Sequence, residues 1–199
     1  DVCSSDPLKA KMQYNSVQIH DTAEAMFANS SLISRFDDTG TISANDALSF
    51  GFTGITAKAS GIPVDARMDH PVWQYPGFLV QTESSGDVYA RAHLRYMESM
   101  QSLQIILNLL DKTDPEAPCY IGLKELMPNQ IAVSIVEGAR GRIVHIAKSM
   151  DTQKALWYRV VDPSIVNWQA LSIAVSQEQI SDFPLCNKSF DLSYCGSDL

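Results

Sequence analysis

Charged residues are scarce in this chain of 199 residues, at 19% of the total against roughly 25% in an average soluble domain. The few charges are also biased, because 15 Lys and Arg stand against 23 Asp and Glu, for a formal net charge of -8. A protein that binds by neutralising phosphates needs clustered basic residues. We therefore expect no nucleic-acid partner.

Long apolar runs are missing as well. The uninterrupted apolar stretches contain only a few residues, whereas a membrane-spanning helix needs roughly 20, so we expect no direct membrane span. The chain begins at Asp1 without Met, and no signal-peptide pattern follows. We expect further sequence to precede it.

Cysteine is too sparse and too irregularly spaced for a disulfide scaffold, which predicts reduced thiols in a cytosolic setting. The four residues are Cys3, Cys119, Cys186 and Cys195. No CxxC, CxxH or HxxxH spacing occurs, so spacing alone predicts no metal site. The glycine patterns GxGxxG and GxxxxGK are also absent, and NAD or ATP binding is not expected.

The chain divides into three consecutive parts of one unit. Residues 1–43 carry an N-terminal helix, residues 44–130 combine a loop-rich segment with a long central helix, and residues 131–199 hold a small sheet and a C-terminal motif. The apolar spacing over 8–36 is helical, with a break predicted near 29–31.

Caps and breakers place the next two helices. Gly and Pro punctuate the loop-rich segment and leave room for one short helix at 44–50, with Ser43 or Asn45 as its cap. The central helix is predicted from Asp87, a suitable cap, to about Lys112. Its apolar face is predicted to be buried, and that face includes Leu103 and Ile106.

After residue 130 the apolar period changes to two, which indicates strands. The predicted elements are the strands 131–136, 142–147 and 155–161, the helices 165–176 and 182–189, and an exposed tail from Asp191 to Leu199. The fold class is therefore mainly α (α+β): a bundle of long helices with a small three-stranded antiparallel sheet.

Several short segments follow one another in a recognisable order. They are Ala47 to Gly54, Lys58 to Gly61, Asp65 to Arg67, Gly86 to Arg91 with Arg95, Glu98 and Ser102 downstream, Val136 to Gly141 and Arg159 to Asn167. Together they resemble the large subunits of energy-converting, membrane-bound nickel-iron hydrogenases and the 49 kDa subunit of NADH-quinone oxidoreductase, complex I. The resemblance covers residues 44–199. It implies that the chain is the C-terminal domain or fragment of a hydrogenase-like large subunit.

The metal-binding end of this family departs from its pattern here. The family's C-terminal DPCxxC motif aligns with residues 191–196, which puts Ser193 and Gly196 where two thiolates hold the nickel-iron centre. A hydroxyl and a missing side chain cannot replace soft thiolate ligands, and Cys195 is one residue out of register. The family's other cysteine pair would lie before Asp1. The resemblance thus implies no metal and no cofactor in this chain.

The resemblance also implies a remnant of the active-site pocket, at Arg140, Pro163, Ser164 and Asp191. We expect the three segments that carry these residues to meet. Arg140 and Ser164 match the residues that hydrogen-bond the diatomic ligands of the iron, and such donors can instead orient a quinone oxygen or a water. The alternative is that Arg140 only anchors the hairpin to a neighbouring carboxylate. No catalytic residue is assigned.

The function that the resemblance implies is redox coupling in a membrane-associated, ion-translocating complex. The expected partners are a small subunit that carries an iron-sulfur cluster and the membrane subunits, which would hold the chain at the cytoplasmic, inner face of the membrane. A quinone is compatible with this reading, and we expect the isolated chain to be inactive. Two alternatives stay open: a non-catalytic module that docks an iron-sulfur subunit, and an active nickel-iron hydrogenase large subunit.

Overall fold

A computed structural model describes residues 6–70, 77–112, 127–150 and 155–198, together with residues 75, 114, 120 and 122. The helices are α1 (Asp6–Phe27), α2 (Ser30–Phe36), α3 (Ala44–Phe50), α4 (Gly54–Ala59), α5 (Ala66–Asp69), α6 (Val88–Leu110), α7 (Ser164–Val175) and α8 (Phe183–Phe190). The strands are β1 (Ile131–Gly138), β2 (Gly141–Ser149) and β3 (Ala155–Val161), and short 3₁₀ helices lie at Ile180–Asp182 and Cys195–Asp198. This architecture confirms the predicted fold class.

Side-chain caps fix the helix starts that the sequence predicted. Asn29 begins α2 by accepting a hydrogen bond from the Leu32 amide, so the predicted break after α1 is confirmed. Ser43, and not Asn45, caps α3, because its hydroxyl accepts from the Asp46 amide at 3.0 Å. Asp87 begins α6 in the same way. Each cap satisfies a backbone donor that the helix itself leaves unpaired.

The predicted buried face of α6 is wrong in its C-terminal half. Ile106 is 39% exposed and Leu103 is half-buried, whereas the neighbouring Ile105 is buried. The reason lies in the packing, since Ile55 and Ala59 of α4 cover Ala90 and Leu94 near the start of α6, whereas Leu103 and Ile106 line a cavity. The buried residues of α6 are Val88, Ala90, Arg91, Leu94 and Ile105.

The three strands form one antiparallel sheet in the order β1-β2-β3. The predicted hairpin is confirmed. Strand β1 ends two residues later than predicted, and β2 begins one residue earlier and ends two residues later. The turn packs against the start of α4, where a Cβ on Gly54 would lie 2.4 Å from the Gly141 Cα. Gly54 also has φ +61, a left-handed conformation that favours glycine. Helix α4 and the hairpin turn are therefore in backbone contact.

Helix α4 is the element that the sequence analysis missed within its loop-rich segment, together with the short α5. All six residues of α4 are buried. One apolar cluster joins Ile55 and Ala59 of α4 to Ala90 and Leu94 of α6. The other joins α3, α7 and α8, and its members are Ile42, Ala47, Phe52, Ala57, Ala170, Leu171, Ala174, Cys186, Phe190 and Leu192.

The C-terminal tail was predicted to be exposed, and this is wrong for two of its residues. Leu192 and Gly196 are buried, because the tail folds back along α7. Of the four cysteines, Cys186 is buried and Cys195 exposed, both as free thiols, while Cys3 and Cys119 lie outside the described residues. Within the described ranges, no helix combines the length and the apolar character needed to cross a bilayer.

Candidate functional site

A cavity of about 540 Å³ lies between α1, α5, α6 and the turn that joins β1 to β2. Its lining combines polar and apolar residues. The polar ones are Arg67, Arg95, Glu98, Ser99, Ser102, Glu137 and Asp191, and the apolar ones are Ile19, Ile55, Leu103, Ile106 and Ala139. The half-exposed face of α6 that the sequence analysis assigned to the core therefore lines this cavity, which we call the main cavity.

Five charged residues form a group that we call the acid cluster: Lys58, Asp65, Arg67, Glu98 and Glu137. Of these, Arg67, Glu98 and Glu137 line the main cavity. Lys58 lies at the centre of the cluster, with a side chain that is only 1% exposed. Its Nζ donates to Asp65 Oδ2 at 3.2 Å and to Glu98 Oε1, and lies 3.9 Å from Glu137 Oε1. One buried ammonium group thus faces three carboxylates.

Asp65 is the most firmly held carboxylate of the acid cluster. It caps α5 and accepts two hydrogen bonds from the guanidinium of Arg67, at 2.8 and 2.7 Å. Burial opposes ionisation of Asp65, but the hydrogen bonds from Arg67, together with the charges of Lys58 and Arg67, outweigh burial and hold the pKa of Asp65 below its ordinary value. Asp69, two residues after Arg67, pairs instead with Arg142 at 2.8 Å.

Glu137 is the least satisfied carboxylate of the acid cluster. Its Oε2 accepts a hydrogen bond from the Ala66 amide at 2.9 Å, whereas its Oε1 is buried and has no hydrogen-bond partner. The side chain is 4% exposed. Burial raises the pKa of Glu137 from 4.5 to about 7, helped by the nearby charge of Asp65 and opposed by the Ala66 amide and Lys58.

Three arginines, Arg91, Arg95 and Arg140, form a second charged group around the end of α8, which we call the arginine cluster. Arg95 donates to the Phe190 carbonyl at 3.0 Å, and Arg140 Nε donates to the Asp191 carbonyl. Burial lowers the pKa of Arg95. Arg95 and Arg140 thus bind the carbonyl end of α8, where the backbone carries partial negative charge.

Arg91 is the most deeply buried member, with 0% exposure. It donates to the carbonyls of Gly86 at 2.7 Å and Gly40 at 3.0 Å, and to the hydroxyl of Ser189 at 2.9 Å. Its guanidinium also lies 4.0 Å from the centre of the Phe190 ring. Burial lowers the pKa of Arg91 to about 9, so it remains a cation at neutral pH.

The structure brings together the three segments that carry the residues of the expected pocket. Ser164 Oγ accepts from the Ser193 amide at 3.0 Å, and Asn167 donates to the Arg140 carbonyl at 3.2 Å. Arg140 also lies 3.4 Å from the carboxylate of Asp191, which is the anchoring geometry of the alternative reading. A hydrogen bond from Lys188 is the main reason that the pKa of Asp191 is lowered.

Pro163 and Ser164 stand where α7 begins. Pro163 occupies the cap position, and its carbonyl accepts from the Asn167 amide at 3.1 Å. Ser164 is fully buried, and its own amide donates to Asp162 at 2.8 Å. Of the expected pocket residues only Asp191 lines the main cavity. A role of these residues in binding a ligand stays a prediction.

The two positions of the degenerate metal motif are occupied by local contacts. Ser193 Oγ accepts from the Gly196 amide at 3.0 Å and lies 3.3 Å from Cys195 Sγ. A Cβ on Gly196 would lie 2.6 Å from Cγ of Asp162, so a cysteine side chain there would displace that carboxylate. Within the described ranges, no three His, Cys, Asp or Glu side chains are grouped as a metal site requires.

Sequence reasoning had named Lys58, Arg95 and Glu98 only as parts of a resemblance and had given them no role. The signal available in the sequence was a charged residue among apolar neighbours. Lys58 stands between two alanines, and Arg91 lies three residues after the buried Val88. A charge on the buried side of a helix needs a partner. The partners themselves are far away in sequence, as Glu98 is from Lys58.

Comparison with known proteins identifies the family. A family model described as respiratory-chain NADH dehydrogenase, 49 Kd subunit, matches residues 4–125, which is more than half of the chain. The chain belongs to this family. The coarser part of the resemblance found in the sequence, to the complex I 49 kDa and nickel-iron hydrogenase large subunits, is thereby confirmed.

Relatives of this family member come from both branches. The carbon monoxide-induced hydrogenase of Rhodospirillum rubrum is 32% identical over 167 residues, or 82% of this chain and 45% of that protein. A subunit of the NADH-quinone oxidoreductase of Solibacter usitatus is 30% identical over 167 residues, or 81% of this chain and 45% of that protein.

A solved structure shares the fold. It is that of the membrane-bound sulfane sulfur reductase, an archaeal respiratory membrane complex, one chain of which matches with a TM-score of 0.89 and 25% identity. The match covers 98% of this chain and 55% of that one. The chain thus spans about half the length of the proteins that it resembles.

Proposed function

We propose that the chain is the redox-coupling large subunit of a membrane-associated, ion-translocating complex and that it works without a nickel-iron centre. A small partner subunit delivers electrons from its iron-sulfur cluster. Membrane subunits move the ion and hold the chain at the cytoplasmic face of the membrane. Membership of the 49 kDa family, with relatives named as a hydrogenase and as a quinone oxidoreductase, supports this assignment.

The observation that carries the loss of the metal is the contact between Gly196 and Asp162. Where the hydrogenase motif has a cysteine, the Asp162 carboxylate fills the space that a side chain would take, and the Ser193 hydroxyl is engaged with the Gly196 amide. Oxygen groups held in this way do not suit a centre that needs soft thiolate ligands. The residues at this end of the chain therefore do not fit a nickel-iron centre.

The main cavity offers the chemistry that a quinone headgroup requires. The two carbonyl oxygens of a quinone accept hydrogen bonds, and Arg95, Ser99 and Ser102 can donate them from α6. The quinone ring is apolar and can pack against Leu103 and Ile106, which also line the cavity. We propose the quinone as the electron acceptor at this cavity.

The metal content of the complex tests the first part of this proposal. The complex is purified through a tag on this chain from cells grown with added nickel, and nickel and iron are counted per chain. We expect iron from the partner's cluster and nickel far below one per chain. One tightly held nickel per chain would instead indicate an active nickel-iron hydrogenase and would overturn the proposal.

A second experiment tests whether the main cavity takes part in the reaction. Ser102→Trp would fill part of the cavity, and Gln104→Trp places the same bulk on the exposed side of α6. We expect the Ser102 variant to assemble but to lose quinone reduction and the Gln104 variant to keep it. Equal activity of the two assembled complexes would favour the alternative of a docking module.

A further inference from the structure

A second cavity, of about 290 Å³, lies on the other side of the acid cluster from the main cavity. His70, Tyr75 and Ser134 line it, and Arg67 and Glu137 line both cavities. Arg67 and Glu137, two members of the acid cluster, therefore form a wall that the two cavities share. A wall of charged groups, unlike an apolar wall, can carry a proton.

Three residues connect the two sides of this wall. Glu98 lines the main cavity only and is 20% exposed, Lys58 donates a hydrogen bond to it, and Lys58 Nζ lies 3.9 Å from Glu137 Oε1. A further approach of about 1 Å would bring the last pair to hydrogen-bond distance. Glu137 then reaches the second cavity.

The charges of the acid cluster leave room for one proton. Lys58 and Arg67 supply two positive charges, and Asp65, Glu98 and Glu137 supply three negative charges when all are ionised. Asp65 is held ionised by Arg67, which leaves the proton to the two glutamates. Of these, only Glu137 has a buried oxygen without a partner.

Other charged groups approach the acid cluster from neighbouring elements. Arg142 stands directly opposite Glu137 in the β1–β2 ladder and is paired with Asp69, so this pair adds no net charge. The Nε of Arg142 is buried and has no hydrogen-bond partner. Arg95 approaches Glu98 from α6 but donates to backbone carbonyls. His70 lines the second cavity, where a proton can enter.

We propose that Glu137, Lys58 and Glu98 form a proton relay between the second cavity and the main cavity. Neutral Glu137 gives its proton to Lys58 as the Lys58 ammonium passes one to Glu98. Lys58 stays an ammonium, Glu137 becomes a carboxylate and Glu98 becomes a carboxylic acid. Glu98 then supplies the proton to the ligand of the main cavity, which receives its electrons from the iron-sulfur partner. The role of the relay in turnover rests on the proposed function.

The position of Glu137 suits such a relay. Its pKa of about 7 means that both of its forms are populated at neutral pH. A group of this kind releases and takes up a proton at little cost, which is the condition for efficient proton transfer.

The relay predicts an infrared signature of the full chain by itself. A protonated carboxyl group has a carbonyl band of its own, and we expect one that disappears as the pH rises through about 7. Glu137→Gln should remove the titrating band. Glu24→Gln, at an exposed position of α1, should leave it unchanged. A titrating band that survives Glu137→Gln, or no such band in the wild-type chain, would overturn the proposal.

Turnover of the assembled complex tests the relay as a path. Glu137→Gln and Glu98→Gln should each slow quinone reduction at least about tenfold with little change in KM. Proton transfer by a positioned side chain typically accelerates a reaction by more than this factor. Glu137→Asp should recover part of the rate and shift its pH profile. Full activity of both Gln variants would refute the relay while leaving the proposed function intact. A titrating band in a wild-type complex that reduces no quinone would refute the proposed function alone.

Discussion

The acid cluster and the arginine cluster both include residues of α6, yet they hold their charges differently. Arg91 directs its donors to two backbone carbonyls and a hydroxyl, all within hydrogen-bond distance. In the acid cluster most contacts join side chains to one another, and Glu137 keeps one oxygen without a hydrogen-bond partner. The first arrangement is closed, whereas the second can change its protonation.

The two clusters also titrate in different ranges of pH. The pKa of Arg91 is lowered by burial to about 9, so this residue keeps its charge throughout the neutral range. The pKa of Glu137 is raised by burial to about 7. Burial of a charge thus builds a fixed structural contact in one place and an exchangeable proton in the other, depending on how completely its hydrogen bonds are satisfied.

The largest expected effect comes from opening the arginine cluster. Arg91→Met keeps much of the side-chain length but leaves the Gly40 carbonyl without its Arg91 donor and the Gly86 carbonyl with only the Ile42 amide. We expect the free energy of unfolding to fall by about 4 to 5 kcal/mol, as for a broken buried polar network. Urea unfolding measures this change. Arg35→Met, at a side chain that is 60% exposed, should cost less than about 1 kcal/mol. Similar losses for both variants would contradict the structural role of Arg91.

Removing the central cation of the acid cluster comes next. Lys58→Met leaves three carboxylates facing one another, and we expect a loss of about 3 to 4 kcal/mol at pH 8. The loss should be smaller at pH 5, because Glu137 is then protonated. Urea unfolding at the two pH values gives the comparison, with the exposed Lys11→Met as control. A loss that does not depend on pH would argue against coupling within the cluster.

Replacing the unsatisfied carboxylate changes the pH dependence of stability. Between its ordinary pKa of 4.5 and its folded pKa of about 7, Glu137 is protonated in the fold and ionised in the unfolded chain. The stability that protonated Glu137 contributes to the wild-type fold is therefore fully present below pH 4.5. As the pH rises to 7, the free energy of unfolding falls by about 3 kcal/mol. Glu137→Gln should abolish this decrease, as urea unfolding at stepped pH would show. If the free energy of unfolding of the variant falls with pH as it does in the wild type, the raised pKa does not belong to Glu137.

The smallest expected effect concerns the partly exposed member of the arginine cluster. Arg140→Lys loses the forked contact with the carbonyl and carboxylate of Asp191, while the Arg140 carbonyl still accepts from Asn167. We expect a loss of about 1 kcal/mol, which is the scale of one hydrogen bond. Thermal unfolding measures it. A loss as large as that of Arg91→Met would mean that this half-exposed contact holds the tail far more firmly than its exposure indicates.

Elements with a local signal were predictable from the sequence. Asp87 and Ser43 mark helix starts because a cap depends on neighbouring residues only. The alternation of β1 and β2 likewise predicts a hairpin without knowledge of the rest of the chain. Helix α4 gave no such signal, since its six residues are all buried and show no polar side.

The site was less predictable than the fold, because its contacts are made across the chain. Lys58 and Glu98 are 40 residues apart, and Glu137 meets the Ala66 amide across 71 residues. The exposure of Ile106 was also misjudged, because the apolar pattern of a helix does not distinguish a core from the wall of a cavity. The resemblance implied a role for Arg140 and Ser164, but it gave the residues of the acid cluster no role and did not group them.

The number of protons released on unfolding tests the central claim most directly. Calorimetric unfolding near pH 6, in buffers that differ in ionisation enthalpy, counts these protons for the wild-type chain and for Glu137→Gln. Because Glu137 alone is expected to hold its proton in the fold and lose it on unfolding at this pH, the wild type should release about one proton more than the variant. Equal release by the two chains would show that the acid cluster holds no exchangeable proton at Glu137.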